Sequence, residues 1–135
     1  MYQILSIKNY EMTRDIKIRN TDSGTIEICF DDSALISSQC FDFVKEGKEY
    51  MCKIMLFGNI VSEAERLQDK VVLCKVICRD VIVGGRHMIK VGVNNDEYYV
   101  NISKSNEFMD TDSFYFKYSR KDLIQVDDVV HADLL

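Results

Sequence analysis

The chain has 135 residues, of which 47% are hydrophobic and 29% charged, with a formal net charge of −5. That composition excludes a disordered tail, a collagen-like repeat and a low-complexity segment, and no apolar run approaches the roughly 18 residues of a membrane-spanning helix. A chain of this length forms one domain, 1–135, able to build its own core without metals or disulfides.

The charge is spread evenly. Residues 1–60 carry 7 basic and 9 acidic side chains, residues 61–118 carry 8 and 9, and residues 119–135 carry 2 and 4. Polyanion binding draws on clustered Lys and Arg, so an evenly acidic chain is a poor default partner for nucleic acid.

The dominant pattern is period-two alternation in segments rich in β-branched and aromatic residues, which predicts strands. Ile16 and Ile18 alternate with Lys17 and Arg19. After the turn-rich Thr21-Asp22-Ser23-Gly24, Ile26, Ile28 and Phe30 alternate with Glu27 and Cys29, giving an N-terminal hairpin within 1–32. Asp31-Asp32-Ser33 and the patch Ala34-Leu35-Ile36 read as loop or a single turn.

From Glu49 to Ile60 the chain is apolar on both faces, Tyr50, Cys52, Ile54 and Leu56 on one and Met51, Met55 and Phe57 on the other. That predicts a strand central in a sheet or bent around a barrel corner, with Gly58 as a candidate bulge. Val61 to Asp69 is the helical stretch: Ser62 followed by Glu65 is a capping box, and Ala64 and Leu67 would face the core.

Lys70 to Val83 is a second long strand, closed by a Gly84-Gly85 hairpin that tolerates positive φ. Ile89, Val91 and Val93 return, Asn94-Asn95-Asp96 turns again, and Tyr98, Val100 and Ile102 follow. Ser103 to Ser113 reads as polar loop with a turn near Asn106-Glu107-Phe108. Phe114, Phe116 and Tyr118 then alternate with Tyr115 and Lys117. The tail fits both periods, but its branched residues Ile124, Val126 and Val130 favour a strand.

These elements predict an all-β domain with about seven or eight strands and one short helix, an antiparallel barrel or sandwich with under a fifth of its residues helical. From Glu49 onward the layout is a long bent strand, a long partner, a glycine hairpin, further strands and a short helical insert. Over roughly 48–134 this barrel-like body resembles an OB-fold-like β-barrel, with the N-terminal hairpin as an addition. A shared layout does not transfer function.

Five cysteines, Cys29, Cys40, Cys52, Cys74 and Cys78, make an odd number, and Met1 to Leu5 lacks the basic and apolar regions of a secretory leader. A reducing cytoplasm is the expected compartment, and the Asn101-Ile102-Ser103 sequon is therefore without meaning. Cys74 and Cys78 would share a strand face about 13 Å apart, too far for one tetrahedral metal, so the thiols read as core filling.

Catalytic templates fail in turn. His87 follows the glycine hairpin and should be solvated, and His131 lies near a terminus where chains fray. The acid pairs Asp31-Asp32, Asp110 with Asp112, and Asp127-Asp128 read as solvated loop acids without a metal-binding spacing. No glycine-rich loop opens a helix, so neither a nucleotide nor any other cofactor is expected.

Two binding readings remain. The first is a non-catalytic domain with a protein partner, or a second copy of itself, using an acidic face at Asp127 and Asp128 to set association rate and specificity. In size and charge it resembles bacterial immunity proteins, which cap the basic active face of a toxin. The alternative is a single-stranded nucleic-acid binder on an OB-like face, stacking bases on Tyr115 and Tyr118 with Lys117 and Arg120, extended by Arg86 and Tyr99. Against that alternative, Phe114 and Phe116 share one face and read as core, leaving Tyr115 and Lys117 outside.

Overall fold

The computed structural model describes residues 1–35, 40–101 and 111–135. Ile36, the Ile102-Ser103 part of the sequon, the turn expected near Asn106-Glu107-Phe108 and the Asp110 member of an acid pair lie outside the described residues. The fold is all-β, 63% strand and 7% helical over the described residues. Ten strands appear among the described residues: β1 (Tyr2–Asn9), β2 (Arg14–Asn20), β3 (Ile26–Asp31), β4 (Glu49–Tyr50), β5 (Cys52–Val61), β6 (Val71–Val83), β7 (Arg86–Val93), β8 (Asp96–Asn101), β9 (Ser113–Val126) and β10 (Val129–Val130).

Five of them close a barrel. β9 pairs antiparallel with both β5 and β6, β6 with β7, and β7 with β8. β8 returns to β5 through a parallel pair at Met55 and Tyr99, so the circuit has no free edge. Long β9 makes this possible by outrunning the barrel. Its first half pairs with β6 at Val71 to Lys75, and further along it meets β3 at Asp122.

Gly58 sits at the bulge the sequence predicts, where the β5–β9 register shifts between Phe57 and Gly58. A Cβ on Gly58 would lie 2.0 Å from the carbonyl oxygen of Lys117, so only glycine admits this approach. Gly84 adopts φ +62° in the β6–β7 hairpin, as a primed turn requires.

β1, β2 and β3 form an antiparallel N-terminal sheet that shares one core with the barrel. Ile4, Ile16 and Ile18 of the sheet join Ile54, Leu56, Val91, Phe114, Phe116 and Leu123 of the barrel, all buried. Each such aliphatic or aromatic side chain contributes about 1.5–3 kcal/mol of burial. Phe114 and Phe116 point inward as expected.

The structure corrects several expectations. β1 is an extra strand that the mixed Tyr2 to Asn9 segment concealed, and β4 and β10 are two-residue strands, so the count exceeds seven or eight. The helix over 61–69 is a single 3-10 turn, Glu63–Glu65. The Glu65 carboxylate does accept from the Ser62 backbone N–H at 3.2 Å, but Ala64 is exposed and Leu67 is 88% exposed. Without a core-facing stripe, the cap alone does not carry a longer helix.

Of the second face, Met51 and Phe57 are exposed while Met55 is half-buried against Val83, Met88 and Tyr99, so that face of β5 is covered only in part. Bulges on either side of Cys78 break the alternation of β6, and Cys78 does not share the buried setting of Cys74. The tail is strand as expected through Val126, the end of β9, and again at Val129–Val130, but it finishes in a 3-10 turn, Ala132–Leu134, whose Leu134 is buried.

β3 alternates as expected, and the face it turns inward is Glu27, Cys29 and Asp31, while Ile26 and Ile28 are 54% and 60% exposed. Register explains it. Ile16 opposes Cys29 and Ile18 opposes Glu27, and opposed residues of antiparallel strands share a face.

Candidate functional site, a basic groove between β3 and β9

Turning β3 this way leaves a groove of about 520 Å³ between its outer face and β9, lined by Lys17, Ile26, Ile28, Phe30, Lys70 and residues Tyr118 to Lys121. Its lining carries four basic side chains, Lys17, Lys70, Arg120 and Lys121, against the acids Asp15 and Glu27, in a chain of net charge −5. The local field opposes the global one.

Beneath the groove lies a buried polar network. Glu27 accepts hydrogen bonds from the Tyr98 hydroxyl and the Lys121 ammonium. Lys121 also sits 5.0 Å from the Tyr118 ring centroid and 5.3 Å from that of Tyr98. Burial, reinforced by the bond to Glu27, holds the Tyr98 hydroxyl well above its ordinary pKa.

Arg120 closes one end. Its guanidinium lies 4.7 Å from the Phe30 ring centroid and 4.4 Å from that of Phe57, and its Nε donates to Asp122 at 2.6 Å. Burial raises the Asp122 pKa and the Arg120 guanidinium works against that rise.

Behind Arg120 is a second cavity of about 350 Å³, which Arg86, Asp32 and His131 also line. His131 is buried rather than frayed. Its Nδ1 accepts from the Asp133 backbone N–H at 3.1 Å, so Nε2 carries the proton and donates to Asp32 at 2.6 Å. Both ring nitrogens are thereby engaged within the protein.

Of the acid pairs, Asp31-Asp32 differs from the solvated reading, while Asp112, Asp127 and Asp128 are exposed as expected. Asp31 is buried and bound by Arg14, and Asp32 holds His131. Asp127 adopts φ +50°, and its Oδ1 accepts from the Met51 N–H at 2.9 Å, so this acid secures the β9–β10 turn. Asp128 is exposed beside it. Asp96, read as a turn residue, is buried and accepts from Ser23 Oγ at 2.6 Å and Thr25 Oγ1 at 2.7 Å, fixing the β2–β3 turn to the barrel.

The proposed stacking face divides. Tyr118 and Arg120 line the groove, and Arg86 reaches only the cavity behind it. Lys117 is exposed and donates to Gln68 Oε1 at 3.2 Å, and Tyr115 is half-buried opposite Leu73 and Val61. Tyr99 is buried, with the Lys53 ammonium 5.7 Å from its ring. His87 is exposed and bonds Asp80 at 2.9 Å.

Sequence reasoning missed Glu27, Phe30 and Phe57. Cys29 was the available signal for β3, since a free cysteine is among the residues most often buried and sets Glu27 inward by phase. Among the described residues, no group of three His, Cys, Asp or Glu side chains is placed to hold a metal, and no helix is long and apolar enough to cross a membrane.

The cysteines are free thiols with unequal environments. Burial pushes the Cys52 and Cys74 thiols up to about 12 and that of Cys29 well above its usual range, and a hydrogen bond with Asp42 raises that of Cys40. Iodoacetamide at pH 8 is expected to modify Cys78 first and Cys40 more slowly, leaving Cys29, Cys52 and Cys74 intact until denaturant is added. Peptide mapping after labelling checks this, and early modification of Cys74 contradicts it.

No protein-family model matches the chain, and no curated protein or solved structure does either.

Proposed function

We propose that the chain is a non-catalytic binding domain whose partner is a protein, docked at the groove between β3 and β9. The observation that carries this is the outward row of Ile26 and Ile28 along the groove, on a fold that turns the acids of β3 inward; the row continues to Phe30, whose ring shares the Arg120 guanidinium with Phe57, itself 47% exposed. Exposed apolar surface rimmed by charge is the ordinary character of an interaction site.

The barrel itself we read as OB-like. Numbered along the chain from β6 with β5 counted last, the barrel strands β6, β7, β8, β9 and β5 pair the first with the second, the second with the third and the third in parallel with the fifth. The fifth then pairs with the fourth and the fourth with the first. That is the connectivity of an OB barrel whose last strand has moved to the front of the chain.

Two observations favour protein over nucleic acid. The face usually used for oligonucleotides, on the second and third strands, is β7 and β8 here, and the C-terminal turn lies over it. Leu134 packs with Val83, Met88 and Tyr99, and the Gly85 N–H donates to the Leu134 carbonyl. The rings nearest the groove also already carry the chain's own cations, Arg120 on Phe30 and Phe57 and Lys121 on Tyr98 and Tyr118, so they offer no open stacking platform.

The test is affinity capture from a lysate of the source organism with the native chain and with an Ile26→Asp, Ile28→Asp variant, whose exposed positions leave the core intact. A defined protein should be retained by the native chain after nuclease treatment and lost with the variant. Retention that vanishes with nuclease, or that the variant leaves unchanged, overturns the proposal.

A further inference from the structure

We infer that the groove takes its partner as an added β-strand, an extended segment of alternating apolar and acidic residues laid along the free edge of β3. This rests on the reading of the groove as a protein-docking surface.

The open edge is explicit in the pairing. β2 covers one edge of β3 from Ile26 to Asp31, but β9 touches the other at the single parallel pair of Phe30 with Asp122. On β9 the ladder with β6 ends at Lys117, followed by one hydrogen bond from the Tyr118 N–H to the Lys70 carbonyl. Residues 26–29 of β3 and 119–121 of β9 thus face each other without a strand between them, among the described residues. Two strands that meet once and diverge leave a wedge, and the groove of about 520 Å³ occupies it. Backbone groups along such an edge are ready to pair with an incoming chain at the usual spacing of about 4.8 Å.

The side chains specify the guest. Lys17 stands opposite Ile28, and Arg19 opposite Ile26, on the outward face of the sheet. A strand added beyond β3 would place alternate side chains on that same face, beside the isoleucines and within reach of Lys17 and, across the wedge, Lys70. Lys17 and Lys70 have no carboxylate partner among the described residues, whereas Lys121 and Arg120 are committed to Glu27 and Asp122. Apolar residues satisfy the isoleucines and carboxylates the lysines. An oligonucleotide matches this less well, because Ile26 and Ile28 have no ring to stack on and a strand edge reads peptide groups.

The experiment pans short random peptides displayed on phage against the immobilised full-length chain, then measures the selected peptide by fluorescence anisotropy. The expected selection alternates apolar and acidic residues. N-methylating two alternate backbone amides of the peptide should weaken binding about tenfold, as the loss of two interface hydrogen bonds does. Lys17→Glu with Lys70→Glu should weaken it by a similar factor, on the order of tenfold. Circular dichroism confirms that these exposed substitutions leave the fold intact. If the N-methylated peptide binds as well as its parent while Ile28→Asp abolishes binding, strand addition is wrong and the groove remains the docking surface. If Ile28→Asp has no effect, the docking surface itself is wrong. Failure to select any peptide, or competition by single-stranded oligothymidylate, also overturns the inference.

Discussion

Replacing Asp31 with alanine is expected to destabilise the fold by about 3–5 kcal/mol, the loss that follows when one member of a buried ion pair is removed. The Asp31 side chain is 2% exposed, and its Oδ2 accepts from Arg14 Nε at 3.0 Å and Nη2 at 2.8 Å. Its Oδ1 accepts from the Ser33 N–H at 2.9 Å. Arg14 also donates to the carbonyl of Phe41, a fully buried ring whose own N–H donates to Ser33 Oγ. One carboxylate therefore holds β2, β3 and the chain around Phe41 together. Alanine leaves a mostly buried guanidinium with a single carbonyl partner and the Ser33 N–H with none. Urea unfolding checks the size of the effect, read as a lower midpoint at unchanged slope. Asp31→Asn, which keeps the acceptor oxygen, should cost less, and a loss under about 1 kcal/mol for Asp31→Ala would show the pair to be worth no more than a surface one.

The elements this sequence made legible are those in which local chemistry and tertiary packing agree. The run from Val71 to Val93 pairs branched residues with a glycine turn, and strands and hairpin follow as expected. Gly58 interrupts an apolar strand, and a bulge follows. Where the two levels conflict, the sequence misleads. Hydropathy puts Ile26 and Ile28 inside, but the partner strand β2 offers Ile16 and Ile18 as its inward pair, and the register then seats Cys29 and Glu27 beside them. The helix over 61–69 has its cap but no apolar stripe to bury. Tyr118 and Arg120 were identifiable as part of the site because bases interleave with aromatics there. Phe30 and Phe57 were not, because they come from strands remote in sequence that converge only when β9 leaves the barrel. Nothing local marks His131 as anchored, because Asp32, its partner, is 99 positions away.

Replacing Glu27 with alanine is expected to cost a similar amount, about 3–5 kcal/mol, because the Lys121 ammonium loses its carboxylate and the Tyr98 hydroxyl its acceptor in a buried setting. The pH dependence separates the members of this network. The Tyr98 pKa is raised on folding, so the protonated hydroxyl supports the fold, and its contribution is complete below the ordinary tyrosine value of 10.0 and is lost as pH rises past it. Burial raises Tyr2 in the same direction. Stability should therefore fall above pH 10, and Tyr98→Phe should make that fall shallower without abolishing it. A fall that Tyr98→Phe leaves unchanged would place the alkaline sensitivity elsewhere. Substituting both charged partners, Glu27→Leu with Lys121→Met, removes the desolvation of two ions along with their attraction and should recover most of the stability lost in Glu27→Ala. If that pair matches the native chain in urea, the buried acid is not there for stability. Its remaining consequence is the facing of β3: a carboxylate that bonds Tyr98 and Lys121 only when turned inward leaves Ile26 and Ile28 outward along the groove.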